Sequence, residues 1–296
     1  MSTDFMDPGV VMSIRSLEMR AKLVVAGFRT GLNKSPRHGF SVEFSEYRPY
    51  AQGDDPRFLD WKLYARTDRS YIRLFEDETN LRCYIVLDIS RSMAFGSGAY
   101  TKHDFARTLA ASLAWMLNRQ GDAVGMTLFD EHVRSIVPAR YRPGQLRRLL
   151  VTLEQPASGL STNPGIALQD IAQRLRKRGL VILISDMLAP VQQIGDGLRL
   201  LRGCLHDLVV FQVLDPAEKT LTFDGPKLFE DLESGEKIFS NPEAVRREYV
   251  ERFESHNRLV QAECEAVGAA FRQLITNEPL ELALAQFLQA RRQKGS

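Results

Sequence analysis

Tyr84-Ile85-Val86-Leu87-Asp88-Ile89-Ser90-Arg91-Ser92 is the stretch on which the reading of this 296-residue chain turns. A short apolar run ends abruptly in a carboxylate and two hydroxyls. The run has the length of a strand buried on both faces. Asp88, Ser90 and Ser92 alternate, so an extended or turning loop after the strand aims all three at one point. Oxygen-only ligand sets of this kind suit hard cations such as Mg²⁺, which keep several waters in their octahedron. Taken alone, the same residues also serve as helix caps and turn formers.

Working outward, the segments after residue 81 alternate between strand and helix patterns. Strands are expected at 81–87, 123–129, 180–184, 208–214 and 270–275, with 132–137 pairing back on 123–129. Helices are expected at 103–118, 145–153, 164–176, 191–205, 242–267 and 280–291. Arg119-Gln120-Gly121 marks one helix end, and Pro164 sits in the first turn of another. Alternation of this kind predicts an α/β fold, a doubly wound and mostly parallel sheet. Strands that are nearly all apolar fit a sheet covered on both faces.

In such a sheet ligands gather at the carboxyl ends of the strands. Asp88 and Asp186 each follow a strand, and Thr162 lies in the loop 159–165 before a helix. One rim of the sheet therefore collects Asp88, Ser90, Ser92, Thr162 and Asp186, from three separate loops. The neighbouring Ser161 leaves a one-residue ambiguity in the fourth ligand. Gathering from three loops argues against capping alone.

The five positions resemble the metal-ion-dependent adhesion site of the von Willebrand factor A domain. That family's pattern is Asp-x-Ser-x-Ser, then a Thr in a second loop, then an Asp in a third. Asp88-Ile-Ser-Arg-Ser-Met93, Gly121-Asp-Ala-Val-Gly-Met-Thr-Leu-Phe129, Thr162-Asn-Pro-Gly-Ile-Ala-Leu168 and Ile182-Leu-Ile-Ser-Asp186 all follow its wording, although Pro164 replaces the commoner Thr. The likeness covers roughly residues 81–291. It implies Mg²⁺, or Mn²⁺ or Ca²⁺ in its place, and a protein partner whose Glu or Asp completes the coordination.

A narrower likeness covers nearly the whole chain. Glu43-Phe44, Arg48-Pro-Tyr50, Gly53-Asp-Asp-Pro-Arg57, Leu59-Asp-Trp61, Ala65-Arg66, Arg73-Leu-Phe-Glu76 and Glu78 resemble the bacterial family called domain of unknown function 58. Asp215-Pro-Ala-Glu218, 229–235 and Tyr249 fit it too. Members often lie beside MoxR-type AAA+ ATPases, which implies a role in assembling or maturing other proteins. The organisation expected is a family-specific, partly β segment at 1–80 and a von Willebrand factor A-like domain at 81–296. A β insertion is expected near 216–241, where it is able to join strands of 37–78 in one small β-subdomain.

Asp54, Asp55, Arg57 and Asp60 form a second candidate polar site, with a turn held by Arg–carboxylate pairs as the competing role. The five histidines do not cluster by spacing, and Cys83, Cys204 and Cys264 form no Cys-x-x-Cys pair, so zinc and disulfide frameworks are not expected. No phosphate-binding Gly-x₄-Gly-Lys loop and no Gly-x-Ser-x-Gly elbow occur. A net charge of +2 gives no reason to expect nucleic acid or membrane as a partner. The first residues lack the pattern of a signal peptide, and no run is long enough to span a bilayer. The reading is thus a cytoplasmic binding module, not an enzyme. Its alternative is a metal-dependent hydrolase or phosphatase with Asp122, Asp130 or His132 as base.

Overall fold

Leu17, Ala21, Val24, Val25 and Phe28 are all buried. Their spacing places them on one stripe of a helix. This helix, α2 (Leu17–Asn33), follows a short α1 (Pro8–Ser13) capped by Asp7, whose Oδ1 accepts from Gly9 N at 2.7 Å. Neither helix was expected from the sequence. The computed structural model describes residues 6–33, 47–49, 71–73, 81–155, 164–223, 225–230 and 237–294. Residues 1–31 and 81–296 form one compact unit, and 32–80 form another. The two N-terminal helices therefore belong with the α/β body and not with a separate segment ending at residue 80.

In the unit 32–80, β1 (Tyr47–Pro49) and β2 (Tyr71–Arg73) pair antiparallel, with Tyr47 opposite Arg73. The rest of the segment 37–78, where strands are expected, lies outside the described residues.

The larger unit is built on a six-stranded sheet. The run before Asp88 becomes β3 (Arg82–Asp88), and Ser92 falls in the single 3-10 turn that follows, Arg91–Ala94. Next come α3 (Lys102–Arg119), β4 (Ala123–Phe129), β5 (Val133–Arg140), α4 (Gln145–Leu153) and α5 (Pro164–Arg174). The chain continues through β6 (Leu180–Ser185), α6 (Val191–Gly203), β7 (Asp207–Leu214) and α7 (Pro216–Thr220). A hairpin of β8 (Lys227–Glu230) and β9 (Lys237–Ser240) leads to α8 (Pro242–Ala266), β10 (Ala270–Ile275) and α9 (Leu280–Lys294). The strand order is β10-β7-β6-β3-β4-β5. All pairs are parallel except β4 with the edge strand β5.

Burial follows that order. Every residue of β6 is buried, while β5 alternates between exposed and partly buried positions, as an edge strand with one wet face should. Tyr84, Val86, Val181, Leu183, Leu208 and Val210 join α5, α6 and α8 in one core. The alternate residues Ile85, Leu87, Ile182 and Phe211 are equally buried, on the face that meets α3. Each such aliphatic side chain contributes about 1.5–3 kcal/mol on burial. Thr101 caps α3 reciprocally with Asp104, and Gly121 (φ 87°) leaves it in the left-handed region that favours glycine.

The β insertion expected near 216–241 holds the hairpin β8–β9, and a short helix precedes it, because Asp215 and Glu218 form a capping box with Pro216 at its start. Among the described residues, β8-β9 and β1-β2 pair as two separate two-stranded sheets.

Candidate metal centre

The chain turns back from β5 to β6, which pairs on the other side of β3 from β4. Strand order therefore reverses at β3, and a crevice is expected at the carboxyl ends of β3 and β6. Asp88 is the last residue of β3, and Asp186 follows the last residue of β6. Both are buried, as is Ser90.

Asp88 is held by neutral donors. Its Oδ1 accepts from Ser90 N at 2.8 Å, and its Oδ2 accepts from Ser185 Oγ at 2.6 Å. Ser90 Oγ and Ser92 Oγ lie 3.1 Å apart. Burial, then the charge of Asp186, push the Asp88 carboxyl up to about 7, against the pull of the Ser185 and Ser90 hydrogen bonds.

Asp186 is held differently. Its Oδ2 accepts from Lys102 Nζ at 2.8 Å, and its Oδ1 accepts from Leu188 N at 3.2 Å. Lys102 is wholly buried at the start of α3 and also donates to Glu218 Oε1 at 2.5 Å. Burial disfavours the Lys102 ammonium, but Asp186 and Glu218 outweigh it and raise its pKa. Burial raises the Glu218 carboxyl against the opposing pull of Lys102.

The backbone around Asp186 is pinned from several sides. Gln212 Nε2 donates to the Asp186 carbonyl at 3.1 Å and to Asn257 Oδ1 at 2.8 Å. Met187 takes a left-handed φ of 57°, a strained conformation for this residue. Its carbonyl lies 2.8 Å from His256 Nε2, and its N–H donates to Ser185 Oγ at 3.0 Å. Glu218 is fixed in turn: its Oε2 accepts from Asp215 N at 2.9 Å and its carbonyl from Tyr249 Oη at 2.8 Å. Asp215 Oδ1 accepts from Ser97 Oγ at 2.5 Å, which ties the loop after β3 to α7.

The structure thus brings Asp88, Ser90, Ser92 and Asp186 to one rim. Thr162, Asp54, Asp55, Arg57 and Asp60 lie outside the described residues. Sequence reasoning missed Ser185, Lys102 and Glu218. Ser185 stands beside Asp186 in the motif, so its adjacency was the available signal. Nothing in the sequence around Lys102 announces a buried ammonium, since the residue follows a helix cap where lysines are normally solvated. Of the three candidate bases, Asp122 precedes β4 at the amino ends of the strands, the rim opposite to Asp88, with its Oδ2 3.0 Å from Arg291 Nη1. Asp130 takes Arg134 Nε at 2.7 Å and His132 N at 2.9 Å, and His132 is exposed.

The donor set fits a hard divalent cation. It offers oxygen only, and among the described residues the buried Asp88 carboxylate meets only neutral donors. Among the described residues no three His, Cys, Asp or Glu side chains cluster as a metal-holding group. The fit therefore rests on the serine hydroxyls as much as on carboxylates.

A doubly wound, mostly parallel sheet with one antiparallel edge strand is a von Willebrand factor A-like fold. The chain belongs to the family described as "Protein of unknown function DUF58", whose model matches residues 46–259. Uncharacterized proteins of Mycobacterium bovis and Mycobacterium tuberculosis are each 28% identical over 295 residues, 98% of this chain and 92% of theirs. A solved aerotolerance-related membrane protein of Bacteroides fragilis is similar in fold, with TM-score 0.52 and 14% identity over 72% of this chain and 99% of that one. Among the described residues no helix is long and apolar enough to cross a membrane.

Proposed function

We propose that this protein is a metal-dependent protein-interaction module. Asp88, Ser90 and Ser92 hold Mg²⁺, Mn²⁺ or Ca²⁺, Asp186 and Thr162 support it directly or through water, and a partner's Glu or Asp completes the coordination. The observation that carries this reading is the buried Asp88 carboxylate, with only neutral donors, beside the Ser90 and Ser92 hydroxyls at the reversal of strand order. A divalent ion supplies the positive charge that Asp88 lacks. It also presents an open coordination place to an incoming carboxylate.

The family resemblance supports a MoxR-type AAA+ ATPase as the protein it acts with, in the assembly or maturation of other proteins. Co-purification of the two, expressed together, tests this. Capture should require Mg²⁺, be lost in EDTA and be lost in Asp88→Ala. Normal capture by Asp88→Ala would sink the mechanism.

A further inference from the structure

Lys102 is not among the proposed ligands, yet its ammonium sits on one of the two carboxylates of the rim. Its Nζ lies 2.8 Å from Asp186 Oδ2 and 2.5 Å from Glu218 Oε1, and its side chain is wholly buried. Nothing about the helix start demands this, since the cap is made by Thr101 and Asp104. A buried lysine is tolerated only when paired, and here a carboxylate from the loop after β6 and one from α7 share one ammonium. The second carboxylate is itself held in place: Glu218 Oε2 accepts from Asp215 N at 2.9 Å.

We infer that Lys102 is a resident cation that competes with the divalent ion for Asp186, and that Glu218 is the acceptor that retains the ammonium when the ion binds. The inference rests on the metal-binding reading and deepens it. With the ammonium shared between Asp186 and Glu218, Asp186 keeps its place before the ion arrives. When the ion claims Asp186, Lys102 stays paired with Glu218 and is not stranded in the core. Lys102 is thus a positioning residue that sets the affinity of the site. The arrangement makes cation binding reversible instead of permanent.

Calorimetric titration of the full chain with Mn²⁺ alone tests this, with Lys102→Met and Glu218→Gln beside the wild type. Lys102→Met removes the competitor without removing a ligand, so it should bind Mn²⁺ at least tenfold more tightly. Glu218→Gln leaves Asp186 as the ammonium's sole carboxylate, so it should bind Mn²⁺ several-fold more weakly. A merely structural lysine would lower the melting temperature of Lys102→Met and leave the dissociation constant unchanged. If Lys102→Met does not fold, Glu218→Gln still decides, because it keeps the size of the side chain and one of its two acceptor oxygens while removing the charge. Unchanged affinity in Glu218→Gln, or weaker binding in a folded Lys102→Met, overturns the inference. A wild type that binds no Mn²⁺ overturns the metal-binding reading itself, which separates the two failures.

Discussion

The two carboxylates of the rim stand at the ends of adjacent parallel strands and are equally buried, but they solve the same electrostatic problem in different ways. Asp88 is surrounded by Ser90 N and Ser185 Oγ, both neutral. Asp186 has a buried ammonium at 2.8 Å. One half of the site carries its own cation, and the other half lacks one. On the proposed metal-binding reading, the difference shows where the binding energy for a divalent ion would come from: the charge of Asp88, which only neutral donors meet, while Asp186 is already stabilised by Lys102 and would serve to place the ion.

The comparison breaks most visibly at Lys102. Removing one partner of a buried ion pair strands the other and costs about 3–5 kcal/mol. Lys102→Met, without divalent ions, should therefore melt well below the wild type in a thermal scan, and Mn²⁺ should restore much of the loss.

Asp88→Asn should act in the opposite direction. The folded-state carboxyl lies at about 7, above its ordinary value of 3.8. Its contribution to stability is present at low pH and is lost as pH rises from about 4 through 7. Asp88→Asn should remove that loss. Each tenfold change in proton affinity between the folded and unfolded chain is worth about 1.4 kcal/mol. In EDTA at pH 8 the variant should therefore be more stable than the wild type by about 1–3 kcal/mol. Chemical denaturation at pH 5 and pH 8 reads this, and an equal or lower stability of the variant at pH 8 contradicts it.

A smaller effect sharpens the same pH curve from its acid side. Burial, then the charge of Arg107, push His103 down to about 4 from 6.5. That shift contributes stability above pH 6.5 that is lost as pH falls through 4, the reverse of Asp88. In a denaturation series across pH, His103→Leu should flatten the acid limb between pH 6.5 and 4 by about 1 kcal/mol or more and leave the limb above pH 7 unchanged.

The smallest effect comes from an ion pair of the ordinary kind. Arg174 and Asp170 meet at 2.6 Å on an exposed helix face, with side chains 54% and 34% exposed. Arg174→Ala should leave stability essentially unchanged in the same denaturation assay, in contrast to Lys102 at nearly the same separation.

Much of this was legible in the sequence, for reasons that differ from place to place. The strand β3 was readable because a short apolar run stopped at a carboxylate, and the parallel sheet followed from its repetition before Asp186. The edge pairing of β5 showed in the short polar turn at Asp130 and Glu131. Helix α2 was hidden although Leu17, Ala21, Val24 and Phe28 carry helical spacing, because Glu18, Arg20 and Lys22 break up its first half and the apolar run 23–28 has the length of a strand as much as of a helix. The capping box of α7 is present in Asp215-Pro-Ala-Glu218, but the helix it starts is only five residues long and leaves no periodic pattern. Lys102 and Glu218 were beyond reach, since 116 positions separate them and burial of a lysine depends on partners that only the folded chain supplies.

The central claim is that Asp88 is a cation ligand waiting for its charge. Thermal unfolding at pH 8, with EDTA and with millimolar Mg²⁺ or Mn²⁺, in wild type and Asp88→Asn, addresses it most directly. The ion should raise the wild-type melting temperature and leave that of Asp88→Asn unmoved. Equal shifts in both proteins, or none in the wild type, would contradict the claim.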